Sequence, residues 1–157
     1  DKRKEVKNMK LNIDCVRDVM LWAEDITTPT QPAIYVDTDT VKTLSAIYLS
    51  ESEIPTPNQE QLQLLSKYSN EELVYHLRYC ITDGLLAENN ITSADTIIIK
   101  DLTPLGHDFI ANVREEENYN SLKSKAKRAG VESVKALITI GEEVAASAIT
   151  KVLTGQG

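Results

Sequence analysis

The stretch 69–109 constrains this chain more than any other, because it sets helix and strand boundaries in quick succession. Ser69-Asn70-Glu71-Glu72 reads as a capping box: the Ser69 hydroxyl accepts from the Glu72 amide while the Glu72 carboxylate reaches back to the Ser69 amide. The helix it opens carries Leu73, Leu77, Cys80 and Ile81 on one face and ends at Gly84, which suits a left-handed C-cap. Leu85-Leu86-Ala87 and Thr96-Ile97-Ile98-Ile99-Lys100, joined by a polar tip at 88–95, read as a β-hairpin. Thr103-Pro104 then restarts a helix with an N-cap and an N1 proline, continued by Leu105, Phe109, Ile110 and Val113.

Upstream, Ile13, Val16, Val19, Met20, Ala23 and Ile26 share one helical face, with Asn12 as N-cap and Arg17, Asp18 and Glu24 off that face. A further helix is expected over 59–68, capped by Asn58, with Leu62, Leu65 and Leu64 turned inward. Between them, 27–58 opens and closes on proline-rich turns. Ile34-Tyr35-Val36 reads as a short strand, and 41–49 reads equally as a strand or a short helix. The order helix, helix, short turn, helix, hairpin, helix is that of a winged helix.

The expected fold is therefore mainly α (α+β). A winged helix-turn-helix domain spans 10–117 with an irregular insertion at 28–57, and a helical extension follows at 118–157. Residues 1–9, charged and without periodicity, read as a flexible arm or an expression remnant. In the extension, 119–128 is a basic helix broken at Gly130. Val131, Val134, Ile138, Gly141, Ala145, Ala148 and Val152 then recur at spacings of three and four. That stripe is wide enough to need a partner, either the domain itself or a second copy, and a homodimer through Val131, Val134, Ile138, Ala145, Ala148 and Val152 is expected.

Several segments resemble one family. These are Met9-Lys10-Leu11-Asn12 leading into Asp14-Cys15-Val16-Arg17-Asp18, then Glu72-Leu73-Val74-Tyr75-His76-Leu77 with Gly84-Leu85-Leu86, then Leu102-Thr103-Pro104-Leu105-Gly106-His107-Asp108-Phe109. The family, domain of unknown function 2513, comprises short proteins common in phages and prophages. The resemblance runs over roughly 10–153 and fits least well at 28–57. It implies a winged-helix-like core and an intracellular phage or mobile-element origin, and it brings no activity and no functional residues to carry over.

In a DNA-binding winged helix, the helix at 71–83 enters the major groove. Its outward candidates here are Asn70, Glu71, Glu72, Tyr75, Arg78 and Tyr79. Tyr75, Arg78 and Tyr79 suit bases or a protein surface, whereas Glu71 and Glu72 oppose phosphates. The densest basic run, Lys123, Lys125, Lys127 and Arg128, reads as a phosphate-contacting patch or, more simply, as a solvated helix face following Glu115-Glu116-Glu117. With 24 acidic against 17 basic residues, a net charge of −7 opposes non-specific attraction to a polyanion.

The leading expectation is a regulator that binds double-stranded DNA as a dimer; the alternative is a protein-interaction module whose acidic surface binds or inhibits a host or defence protein. An enzyme is not expected. Two histidines, no glycine-rich phosphate loop and no nucleophile elbow leave little from which to build an active site. His76 and Cys80 stand four apart on a helix, a spacing compatible with two metal ligands. With Cys15 the only third ligand in prospect, they read instead as core residues, and no metal or cofactor is expected. Asp37 and Asp39 with Asp14 and Asp18 match no calcium loop. Trp22 and Phe109 read as core anchors. No apolar run reaches membrane-spanning length, so no membrane partner is expected and the location is expected to be the cytoplasm of a bacterial host cell.

Overall fold

The computed structural model describes residues 9–47, 50–91 and 93–155. Its elements are α1 (Ile13–Ile26), β1 (Ala33–Val36), α2 (Thr38–Leu44), α3 (Gln59–Leu65), α4 (Asn70–Thr82), β2 (Leu86–Glu88), β3 (Thr96–Leu102), α5 (Pro104–Val113), α6 (Glu116–Ala129) and α7 (Val134–Leu153). The fold is mainly helical α+β, with one small antiparallel sheet in the order β1-β3-β2. Residues 1–8 of the expected arm, and 48 and 49 of the run read as strand or helix, lie outside the described residues.

Local capping sets most boundaries. Side chains of Asn12, Asn58, Ser69 and Thr103 each accept from a first-turn amide of α1, α3, α4 and α5 respectively. The cap on α4 has one arm only: Ser69 Oγ accepts from the Glu72 amide at 3.1 Å, and no return bond from the Glu72 carboxylate accompanies it. At the other end, the Leu85 amide donates to the Cys80 carbonyl and the Gly84 amide to the Ile81 carbonyl. This six-to-one closure needs a left-handed residue, and Gly84 supplies it at φ 83°. Helix α7 begins three residues later than its first apolar residue suggests, because Ser133 caps it.

The 28–57 stretch is less irregular than its prolines imply. It supplies β1, which pairs with β3 from Ala33 opposite Ile99 to Val36 opposite Thr96, and α2, capped by Asp37. Only four residues long, β1 shows no alternation that would announce it, and its partner lies some sixty residues away in sequence. Inside α3 the inward residues also differ from expectation. Leu62 is 52% exposed, Leu64 is buried, and Gln61 is fully buried.

One continuous core joins α1, β1, α4, the hairpin, α5, α6 and α7. Trp22 and Phe109 are both within it, and Trp22 meets Tyr35 edge-on with ring centroids 6.1 Å apart. Of the four buried polar side chains among the described residues, Asp95 bonds its near neighbour Ser93 and the other three bond partners distant in sequence. Gln61 bonds both backbone groups of Val36, and Asn70 accepts from the Tyr35 hydroxyl and the Thr38 amide while donating to Asp37.

The third, His76, accepts the Asn12 amide at Nε2 (2.9 Å), and its Nδ1 lies 2.8 Å from the Glu72 carbonyl. Both contacts are satisfied by the neutral ring protonated on Nδ1. Burial pushes the pKa of His76 below its ordinary 6.5, more than the Glu72 carbonyl and carboxylate raise it. The unfolded chain therefore binds this proton more readily, so stability is full above pH 6.5 and falls as pH drops below that value. The expected slope is up to about 1.4 kcal/mol per pH unit. Urea midpoints measured between pH 7.5 and 5 should fall in the wild type and stay level in His76→Gln; parallel curves would refute the assignment.

Candidate interaction surface on α4

Helix α4 buries Leu73, His76, Leu77 and Cys80 against the core, which turns Glu71, Tyr75, Arg78 and Thr82 outward with Tyr79 beside them. Tyr75 and Tyr79 are half-buried and meet edge-on at 5.8 Å, and Tyr75 also meets the His76 ring at 5.0 Å. The two tyrosines are thus held by a buried anchor, so little rotamer freedom remains to be lost on binding. Arg78 is exposed and forms no ion pair among the described residues. Asn70, expected on this face, is instead buried and holds Tyr35, Asp37 and Thr38.

The charge around this face is acidic. Glu71 is exposed and Glu72 half-buried at the N-terminal end of α4. The hairpin segment 88–95 contains no lysine or arginine; its Glu88 is exposed, whereas its Asp95 is buried and accepts from the Ser93 hydroxyl.

The four basic residues of α6 do not form one patch. Residues on a helix turn by about 100° each, so Lys123 and Lys127 share one side and Lys125 and Arg128 another. Lys123 and Lys127 line a cleft with Lys10, Asp14, Glu72 and Glu132, three cations facing three carboxylates. Lys123 pairs with Asp14 at 2.9 Å, and the Tyr119 hydroxyl donates to the same carboxylate. Tyr119 foremost, then Lys123 and Lys127, hold the Asp14 carboxyl below its usual range against the opposing effect of burial. Lys125 and Arg128 border a separate shallow hollow with Glu117, Asn120, Ser121 and Ser124.

The stripe expected to dimerise is divided as well. Val134 and Ile138 are buried within the chain, on the half of α7 that packs against α5 and α6, and Val131 is half-buried beside the core. Ala145 and Ala148 are half-buried, and Val152 is 81% exposed. Its N-terminal half is thus covered by the domain itself.

Of the residues weighed as metal ligands, Cys15 and Cys80 are buried free thiols, and both ring nitrogens of His76 are already engaged. Burial pushes the Cys15 thiol up to about 12, away from the thiolate a metal would need. Asp37 caps α2 and Asp14 serves Tyr119 and Lys123, so the two aspartate pairs act separately.

The arrangement is that of a small mainly helical α+β protein with a bare, aromatic helix face and shallow hollows around it. The chain belongs to the family described as hypothetical protein (DUF2513), which matches residues 10–132, from the approach to α1 through α6 and up to the start of α7. No curated protein and no solved structure matches it. Among the described residues no helix is long and apolar enough to cross a membrane.

Proposed function

We propose that the chain is a non-enzymatic winged-helix module of phage or prophage origin, acting in the cytoplasm of a bacterial host, whose outer α4 face binds a protein. The element order supports the winged-helix reading: α1, β1, α3 and α4, with the short α2 inserted after β1, then the β2-β3 hairpin, in a sheet ordered β1-β3-β2. The family resemblance supports the phage origin.

The observation that carries the partner class is the composition of the α4 face. Tyr75, Tyr79 and Arg78 are the residue types that dominate protein hot spots, and they follow Glu71 and Glu72 on the same helix, which has no other arginine or lysine. A rim of carboxylates favours a basic protein surface and repels phosphate. Wild-type protein is expected to retain one host or defence protein from bacterial lysate at near-stoichiometric yield. Tyr75→Ala/Arg78→Ala should lose it, since two hot-spot truncations cost ~4 kcal/mol of binding. Retention by a variant with an unchanged circular-dichroism spectrum would overturn the proposal.

The second reading is a regulator that binds double-stranded DNA. Its specific support is that α4 occupies the place from which such modules enter the major groove, with Arg78 and the tyrosines outward. Its weakness is electrostatic: Lys123 and Lys127 share their cleft with an equal number of carboxylates, which leaves Arg78 as the one uncompensated cation on the α4 face itself.

A further inference from the structure

A second surface lies in the groove between α1 and α3, and it does not depend on the reading of α4. Its floor is apolar: Leu21, Trp22 and Ile26 from α1, and Leu64 from α3. Its edges are acidic, with Asp18, Asp25 and Glu60. Lys67, the single cation lining the groove, is held by Asp18 at 3.6 Å, and Asp18 also accepts from the Tyr68 hydroxyl at 2.8 Å. Asp25 and Glu60 are exposed and have no ion-pair partner among the described residues. Arg114, paired with Glu24, adds its positive field at Asp25, so the groove combines an apolar floor with a lining that is acidic on balance, three carboxylates against one lysine.

We propose that this groove docks a basic segment of a partner protein, one that inserts an apolar side chain over Trp22 and places lysines or arginines against Asp25 and Glu60. Charge selects that occupant. A nucleic-acid strand would bring phosphates to the same carboxylates, and an acidic segment would meet like charge. The floor is already built, because Trp22 is only 5% exposed and is fixed edge-on against Tyr35. Binding there needs little rearrangement of the chain.

The groove carries its own reporter, since Trp22 is the one tryptophan of the sequence. The full chain is titrated with three synthetic peptides: an amphipathic Leu/Lys peptide, its Leu/Glu counterpart and a Ser/Lys peptide of the same charge. The Leu/Lys peptide alone should give a saturable change in tryptophan emission. Asp25→Lys/Glu60→Lys, which alters two exposed side chains, should weaken that affinity about tenfold, and raising the salt should weaken it further. Tyr75→Ala should leave the titration unchanged, which separates this groove from the α4 face. An equal response to the Leu/Glu peptide, unaltered affinity in the charge-reversed variant, or no emission change at all would overturn the proposal. An emission change with protein concentration in the absence of peptide would overturn it in favour of a second copy as occupant.

Discussion

Replacing Gly106 with alanine is expected to cost ~3 kcal/mol or more of stability, enough to leave much of a marginal domain unfolded. A Cβ at this position would lie 2.1 Å from the Leu85 carbonyl oxygen, 3.0 Å from its carbon and 3.2 Å from the Met20 methyl. The methionine end can move, whereas the carbonyl cannot. Leu85 O accepts from the Thr103 amide at 3.1 Å and from the Thr103 hydroxyl at 3.2 Å, so it is fixed by the residue that caps α5. The Leu85 amide in turn closes α4 through Cys80 at 2.9 Å. Making room for one methyl therefore means moving α5 away from the end of α4 and loosening both caps. Urea denaturation of Gly106→Ala checks this, and a loss below about 1 kcal/mol would show that α5 does not seat on the Leu85 carbonyl.

The second large effect is expected at Gln61. Its side chain is fully buried, and it accepts from the Val36 amide at 2.9 Å and donates to the Val36 carbonyl at 2.7 Å. β1 is an edge strand, paired on one side with β3 and open on the other, and Gln61 occupies the place where a further strand would bond. Gln61→Met keeps the volume and removes both bonds, stranding two backbone groups in the interior. Each stranded group costs about 1–3 kcal/mol, so the variant should lose roughly 2–6 kcal/mol in all. Amide exchange at Tyr35 and Val36 should accelerate more than at β3. A stability within 1 kcal/mol of wild type would mean that the edge of β1 is not held by this side chain.

These two residues also mark the limit of what the sequence makes legible. Gly84 as the C-cap of α4, and Thr103 with Pro104 as the N-terminal signal of α5, act there on their own immediate neighbours, so the end of α4 and the start of α5 can be read directly. Gln61 acts on a strand that enters from 25 residues earlier, and no local pattern distinguishes it from any polar residue of an exposed helix. The same competition misplaces the inward face of α3. Leu62, Leu64 and Leu65 in a seven-residue helix allow more than one apolar side, and the long-range bond of Gln61 decides between them.

The surfaces follow a similar rule. Lys123, Lys125, Lys127 and Arg128 are close in sequence, yet helical geometry divides them between two sides of α6, and Asp14 ties down one of them. Periodicity gives the width of the α7 stripe and cannot say what covers it; α5 and α6 take its first half. Tyr75, Arg78 and Tyr79, by contrast, were recognisable because they lie opposite Leu73, Leu77 and Cys80 on one long, well-capped helix. The α1–α3 groove is invisible in sequence, since it exists only where two helices meet.

Whether the α4 face binds protein rather than DNA is decided by salt-titrated binding to fragmented phage and host DNA, followed by fluorescence anisotropy. With one uncompensated cation on that face, log affinity against log salt should have a slope near −1, and no fragment should be bound selectively at physiological salt. Selective binding with a slope of about −5 or steeper, the signature of six or more phosphate contacts, would contradict the protein-partner reading and make the chain a DNA-binding regulator.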